Sequence, residues 1–259
     1  MNASVTVARD GPIATVVLDR ADKLNALTRA MWGALGETID TLSADDSLRC
    51  ILLRGAGEKA FSPGNDIGEF ENERANKAQA IKYGKVMHRT AAALAGCRHP
   101  LVAQIHGICV GGGLEIAALC DLRICGEGSR FGAPIKNLGL VMAYAEMAPL
   151  VRLVGAAVAL EILLEGRIFG AAEAKEKGLV TRVVADADVA SEARATAERI
   201  AEGAPLVARW HKKFARRLAD PRPLDDAEID ECFDCFDSED FRIGYAAFLA
   251  KQKPRFVGR

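Results

Sequence analysis

Glu115 follows three glycines, Gly111, Gly112 and Gly113, in the stretch HGICVGGGLEIAALCDLRIC, and its other neighbours Leu114, Ile116, Ala117 and Ala118 are apolar. A carboxyl group in apolar surroundings has its pKa raised toward neutrality, which suits it to exchanging protons with a substrate. Consecutive glycines weaken any regular element, so three together mark a close backbone approach or a conformation closed to other residues. If they turn a strand into a helix, their N–H groups are among the unpaired donors of a helix N-terminus, which attract negative charge. A second glycine-bearing turn lies upstream in AFSPGNDIGEF, carrying Gly64, Asn65, Asp66 and Ile67. Two such turns can aim two backbone N–H groups at one oxygen, which is what a carbonyl needs if it is to become an oxyanion or enolate. The structural alternatives are a close-packed turn at the glycines, an Asx turn at Asn65 and Asp66, and an ion pair between Glu115 and a nearby cation such as Arg123.

Other chemistries find less support. GICVGGG lacks the G-x-G-x-x-G order of a dinucleotide site, and no G-K-[ST] phosphate loop occurs. Ser62 has no G-x-S-x-G elbow around it, and His106 sits on an apolar strand where a core histidine is the usual outcome. Cys232 and Cys235 have metal-like spacing, but no second pair accompanies them, so no metal site is expected. The seven cysteines, an odd count, read as reduced packing thiols. Thirty-four basic against 35 acidic side chains leave no global field for nucleic acid or an anionic membrane. The first residues show no basic and apolar leader, and no uninterrupted apolar run reaches the roughly 20 residues of a membrane span. The expected setting is cytoplasmic.

The elements that must position these residues alternate. SVTVARDGPIATVVLDR reads as a hairpin around Asp10-Gly11. Met31, Leu35 and Ile39 mark an amphipathic helix capped by Thr28. RCILLRGAG reads as a strand, EKAFSPGND as a loop, and a polar helix runs toward Cys97. PLVAQIHGICV is a further strand, with a helix from the glycines to Leu119 and a strand at CDLRICG. Strand, loop and helix recur in this order, which makes an α/β protein of crossover units over 1–200. Helix formers dominate from Ala143, and 201–259 reads as a helical C-terminal region.

The motifs together resemble those of the enoyl-CoA hydratase/isomerase, or crotonase, superfamily. AFSPGNDIGEF is similar to AF-x-x-G-A-D-I-x-E, and GICVGGGLEIAALCD to G-x-x-x-G-G-G-x-E-L-x-x-x-C-D. DRADKLNAL, RFGAP, AKEKGLVTRVV and FLAKQKPRFVGR match further family segments, so the resemblance covers nearly the whole chain. It implies a crotonase-like spiral of β-β-α units with a helical C-terminal trimerisation region, assembled as a homotrimer or a hexamer of two trimers. It also implies an acyl-CoA thioester whose carbonyl lies between the N–H groups of Asn65 and Gly112, with Glu115 orienting a water and taking its proton. Lys23, Leu24, Ala26, Asp66 and Ile67 would lie along the CoA. Gly64, Gly111, Pro134 and Tyr144 would line the substrate site, and Phe248 and Lys251 would reach the CoA of a neighbouring subunit. No cofactor is implied beyond the CoA of the substrate.

One departure matters most. Family hydratases carry a second glutamate directly after the proline of F-G-x-P-E, and here Ile135 stands there. Downstream, MAYAEMAPL replaces a glycine-rich segment and brings Met142, Tyr144 and Glu146 toward the pocket, Glu146 as a candidate replacement acid. The expected activity is hydration of a 2-enoyl-CoA. Double-bond isomerisation is the alternative on the same fold, decarboxylation and thioester hydrolysis would use the same oxyanion pocket, and a catalytically silent acyl-CoA binder is the alternative from another class.

Overall fold

The Asp10-Gly11 turn closes the expected hairpin: β1 (Ser4–Asp10) and β2 (Ile13–Asp19) pair antiparallel, with Asp10 opposite Ile13. The computed structural model describes residues 4–259. In α1 (Arg29–Ala44) the Thr28 side chain accepts the Met31 N–H, and Met31, Trp32, Leu35 and Ile39 are buried as their spacing requires. From β2 the sheet continues in parallel through β3 (Cys50–Gly55). A second strand, β4 (Ala60–Ser62), follows, then the short α2 (Phe70–Glu73) and the long α3 (Lys77–Gly96). The same order recurs in β5 (Leu101–Ile105), β6 (Ile108–Val110) and α4 (Gly112–Leu119), and in β7 (Leu122–Gly126), β8 (Arg130–Gly132) and α5 (Tyr144–Glu165). After them come β9 (Phe169–Gly170), α6 (Ala171–Glu176), β10 (Arg182–Val184) and α7 (Val189–Glu202). The strands form a six-stranded sheet in the order β1-β2-β3-β5-β7-β10 and a four-stranded one in the order β4-β6-β8-β9. The three middle turns of the spiral, β3/β4, β5/β6 and β7/β8, thus each lay one strand on each sheet before the helix that follows.

Two segments differ from the sequence expectation. EKAFSPGND, expected as loop, contains β4, whose three residues are too few to show a period-2 pattern. PLVAQIHGICV, expected as one strand, is split at His106-Gly107 so that β5 and β6 join different sheets. Gly107 makes the switch possible: its φ is +56°, and a Cβ there would lie 2.0 Å from the Lys59 carbonyl oxygen.

The main core packs Trp32, Phe61, Tyr83 and Phe131 with aliphatic side chains from sheets and helices, and a smaller one sets Ala193, Ala197 and Ala201 of α7 against Ile13, Leu52 and Val102. After α7 the chain continues through α8 (Pro205–Arg217), α9 (Asp226–Asp230), a 3-10 segment at 231–237 and α10 (Glu239–Leu249). Lys212 ties α8 to the core, 2.6 Å from Asp121 and 2.5 Å from the His99 carbonyl. By length and composition α5 is apolar enough to cross a membrane. Gly155, at φ 77°, interrupts it, and the halves on either side are each shorter than a bilayer core.

Candidate active site

The bend after β4 is held from behind. Leu27 donates its N–H to the Gly64 carbonyl at 2.8 Å and accepts from the Asp66 N–H at 2.8 Å, forming a parallel bridge around Asn65. Strand alternation then points the Asn65 N–H away from Leu27. The Ser62 hydroxyl is consumed structurally, donating to the Asn25 carbonyl at 2.8 Å and accepting from the Gly64 N–H at 3.0 Å. Asp66 closes the Asx turn by accepting from the Gly68 N–H at 2.9 Å and pairs with Arg20 at 2.7 Å. The Arg20 hydrogen bond is the main reason its carboxyl lies below the usual range.

The second bend is tied at Gly111, whose N–H donates to the Gly132 carbonyl at 2.9 Å, and α4 starts one residue later. The two bends touch. Gly64 has φ +96°, and a Cβ on it would stand 2.5 Å from the Gly112 nitrogen, so only glycine permits this approach. Among the described residues, neither the Asn65 N–H nor the Gly112 N–H donates to a protein acceptor. Both residues line one cavity of about 360 Å³. Two unpaired amides beside one cavity are the arrangement an oxyanion requires.

Two carboxyl groups share that cavity. Glu115, on the first turn of α4, is 8% exposed. Burial first and the charge of Glu146 second push its pKa up to about 8, against the opposing charge of Arg74. Glu146 stands on the first turn of α5, where its Oε2 accepts the Ala143 N–H at 3.0 Å and its Oε1 lies 3.3 Å from Nε2 of His88 on α3. It is therefore an acceptor held by a helix start and a neighbouring ring, not a side chain left in water. Arg74 also lines the cavity, its guanidinium 4.6 Å from the Phe70 ring centre and 5.1 Å from that of Tyr83. The arrangement can polarise a carbonyl and move protons on and off the adjacent carbons.

Of the residues expected from sequence, Ala26, Asn65, Asp66, Ile67, Gly111, Gly112, Glu115, Pro134 and Glu146 meet around the cavity, and Ile135 forms part of its wall. Gly64 stands behind the wall, and Lys23 and Leu24 lie on the turn just before Asn25. Tyr144 is a correction: as the first residue of α5 it is 95% exposed and does not line the cavity, since the helix turn directs Glu146 inward instead. Met142 is likewise withdrawn into the core. Arg123 does not pair with Glu115; its guanidinium donates to the carbonyls of Leu179, Ala117 and Cys120. His106 is buried at the β5–β6 junction, outside the cavity. Phe248 and Lys251 lie on the surface of the chain. Sequence reasoning missed Trp32, Phe70, Arg74 and His88, because no spacing links residues as far apart as His88 and Glu146.

The chain is similar to known proteins in sequence and in fold. A model of the enoyl-CoA hydratase/isomerase family matches residues 8–259. A probable enoyl-CoA hydratase of Mycobacterium bovis is 33% identical over 259 residues, covering 99% of this chain and 98% of the relative. A short-chain-enoyl-CoA hydratase of Clostridium acetobutylicum is 30% identical over 96% of both chains. The crystal structure of an enoyl-CoA hydratase/carnithine racemase from Magnetospirillum magneticum superposes with a TM-score of 0.97 at 50% identity, covering 100% of this chain and 97% of that one.

Proposed function

Since the chain belongs to the enoyl-CoA hydratase/isomerase family and is an enzyme of that family, we propose that it adds water across the double bond of a 2-enoyl-CoA thioester. The observation that carries this reading is the pair of unpaired amides, Asn65 and Gly112, opening on the cavity that holds both Glu115 and Glu146. The amides receive the thioester oxygen and stabilise the enolate formed when water oxygen bonds to C3. One carboxylate takes the proton released by that water, and the other carboxylic acid gives its proton to C2.

The electrostatics favour a particular division of labour. Like charges in one cavity disfavour double ionisation, and burial favours leaving the shared proton on Glu115. Glu146 is held as an acceptor by the Ala143 N–H. Glu115 is then the acid that supplies C2, and Glu146 the base that orients and deprotonates the water. This reverses the role that the family resemblance implies for Glu115, and it fills from α5 the position left empty by Ile135. At the end of addition Glu115 is ionised and Glu146 protonated, and exchange with solvent resets the pair. The reaction calls for no cofactor beyond the CoA of the substrate, which runs along Lys23, Leu24 and Ala26.

The chain works as a homotrimer or hexamer in the cytoplasm. Support for assembly comes from a row of exposed aromatic side chains on the C-terminal elements, Phe233, Phe236, Phe241, Tyr245 and Phe248. The test of the reaction is to offer purified protein a 2-enoyl-CoA and a 3-enoyl-CoA and follow the conjugated enoyl absorbance. Loss of absorbance with the first is expected. A gain with the second and no change with the first would make the enzyme an isomerase, and no change with either would point to a silent binder.

A further inference from the structure

Trp32 touches both amide-bearing bends while standing outside the cavity they serve. It is 2% exposed on α1 and is not part of the cavity wall. Its indole Nε1–H donates to Oδ1 of Asn65 at 2.6 Å. The six-membered part of the same ring, next to that N–H, meets the other bend: a Cβ on Gly112 would lie 2.9 Å from Cζ2 and 3.5 Å from Cη2. The backbone that carries the indole is itself anchored, because the Trp32 carbonyl accepts the Thr90 hydroxyl of α3 at 2.6 Å.

We propose that Trp32 is a positioning residue that sets the separation of the Asn65 and Gly112 amides. The proposal rests on the oxyanion role given to those amides above. An indole is rigid and planar, so its Nε1–H and the neighbouring Cζ2 stand a fixed distance apart. One ring bridging two bends therefore acts as a spacer. Its buried N–H needs the Asn65 oxygen, and rotating the Asn65 backbone would break that bond and leave the donor unsatisfied. This explains the asparagine on structural grounds: its side chain supplies an acceptor to the indole while its main-chain N–H faces the cavity. It also explains why Gly112 carries no side chain, since a methyl there would displace the ring.

A displacement of about 1 Å at a site of this kind costs about a hundredfold in rate, so the spacer acts on kcat. The experiment compares wild type, Trp32→Phe, Asn65→Ala and the double variant in steady-state hydration. It adds the carbonyl-stretch frequency of bound butyryl-CoA, a saturated thioester that cannot be hydrated. Each single variant is expected to lower kcat by about ten- to a hundredfold, with KM within about twofold of wild type. The double variant should be no slower than the worse single one, because both break the same bond. The red shift of the bound carbonyl should shrink in all three. Wild-type kcat and carbonyl shift in variants that only melt earlier would reduce Trp32 to core packing and overturn the proposal. If Trp32→Phe fails to fold, Asn65→Ala leaves the indole in place and carries the test alone. Wild type that binds butyryl-CoA with no carbonyl shift would overturn the oxyanion reading itself, and the spacer with it.

Discussion

Glu115 is where the sign of the pH dependence separates the possible mechanisms. With its pKa near 8, it is protonated at neutral pH and loses the proton above it. If it is the acid, kcat/KM falls as pH rises through about 8; if it is the base, kcat/KM rises over the same range. The expected profile is the falling one, read from initial rates between pH 6 and 10. Glu115→Gln and Glu146→Gln should each lower kcat by at least about a hundredfold, the lower end of the usual general acid–base contribution. Arg74 holds the Glu115 pKa down, so Arg74→Met should move the falling limb to higher pH. Stability follows the same group. Its folded pKa lies above the ordinary 4.5, so the native state binds more protons between pH 4.5 and about 8, and wild-type stability declines across that window. Glu115→Gln lacks this decline, and its denaturation midpoint relative to wild type should improve from pH 5 to pH 9.

At the scale of elements, the proposed mechanism depends on two loop bends made to touch by short strands. The small sheet exists because β4, β6 and β8 run parallel and side by side, which brings the ends of β4 and β6 together. Gly64 is the contact point. Gly64→Ala would force a methyl to within 2.5 Å of the Gly112 nitrogen, where backbone must give way. The expected result is a loss of kcat of about a hundredfold or more, as for removal of one oxyanion donor. A variant that folds, binds acyl-CoA and retains wild-type kcat would show that the bends need not touch. The start of α5 matters for a different reason: the carboxylate that accepts the Ala143 N–H lines the cavity with Glu115, so in the proposed mechanism the helix start also mounts the base.

For the whole molecule, the aromatic row at the C-terminal end is the feature that a single chain leaves uncovered. Phe236 and Phe241 pack at a tilt with ring centres 4.8 Å apart, and Tyr245 stacks on Phe241 at 6.2 Å, all exposed. Such a continuous apolar patch is characteristic of an interface. Sedimentation equilibrium should therefore return the mass of a trimer or hexamer, and Phe236→Asp together with Tyr245→Asp should shift it to the monomer. A monomeric wild type would remove the assembly from the proposal.

The amino-acid sequence alone determined the local devices. Gly64, Gly112 and Glu115 were legible because glycine and a lone acid in apolar sequence have few other uses, and hairpin and helices followed from Asp10-Gly11, Thr28 and the spacing of Met31, Leu35 and Ile39. Ordered motifs placed them in one family. Tertiary structure decided what those devices face. Tyr144 and Glu146 are two residues apart, yet one is in water and the other in the cavity, because a helix rotates successive side chains by about 100° and only packing fixes which direction is inward. The Trp32–Asn65 bond and the approach of His88 to Glu146 join residues 33 and 58 positions apart. No local pattern encodes such contacts; they arise when separate helices and strands are brought to the same core.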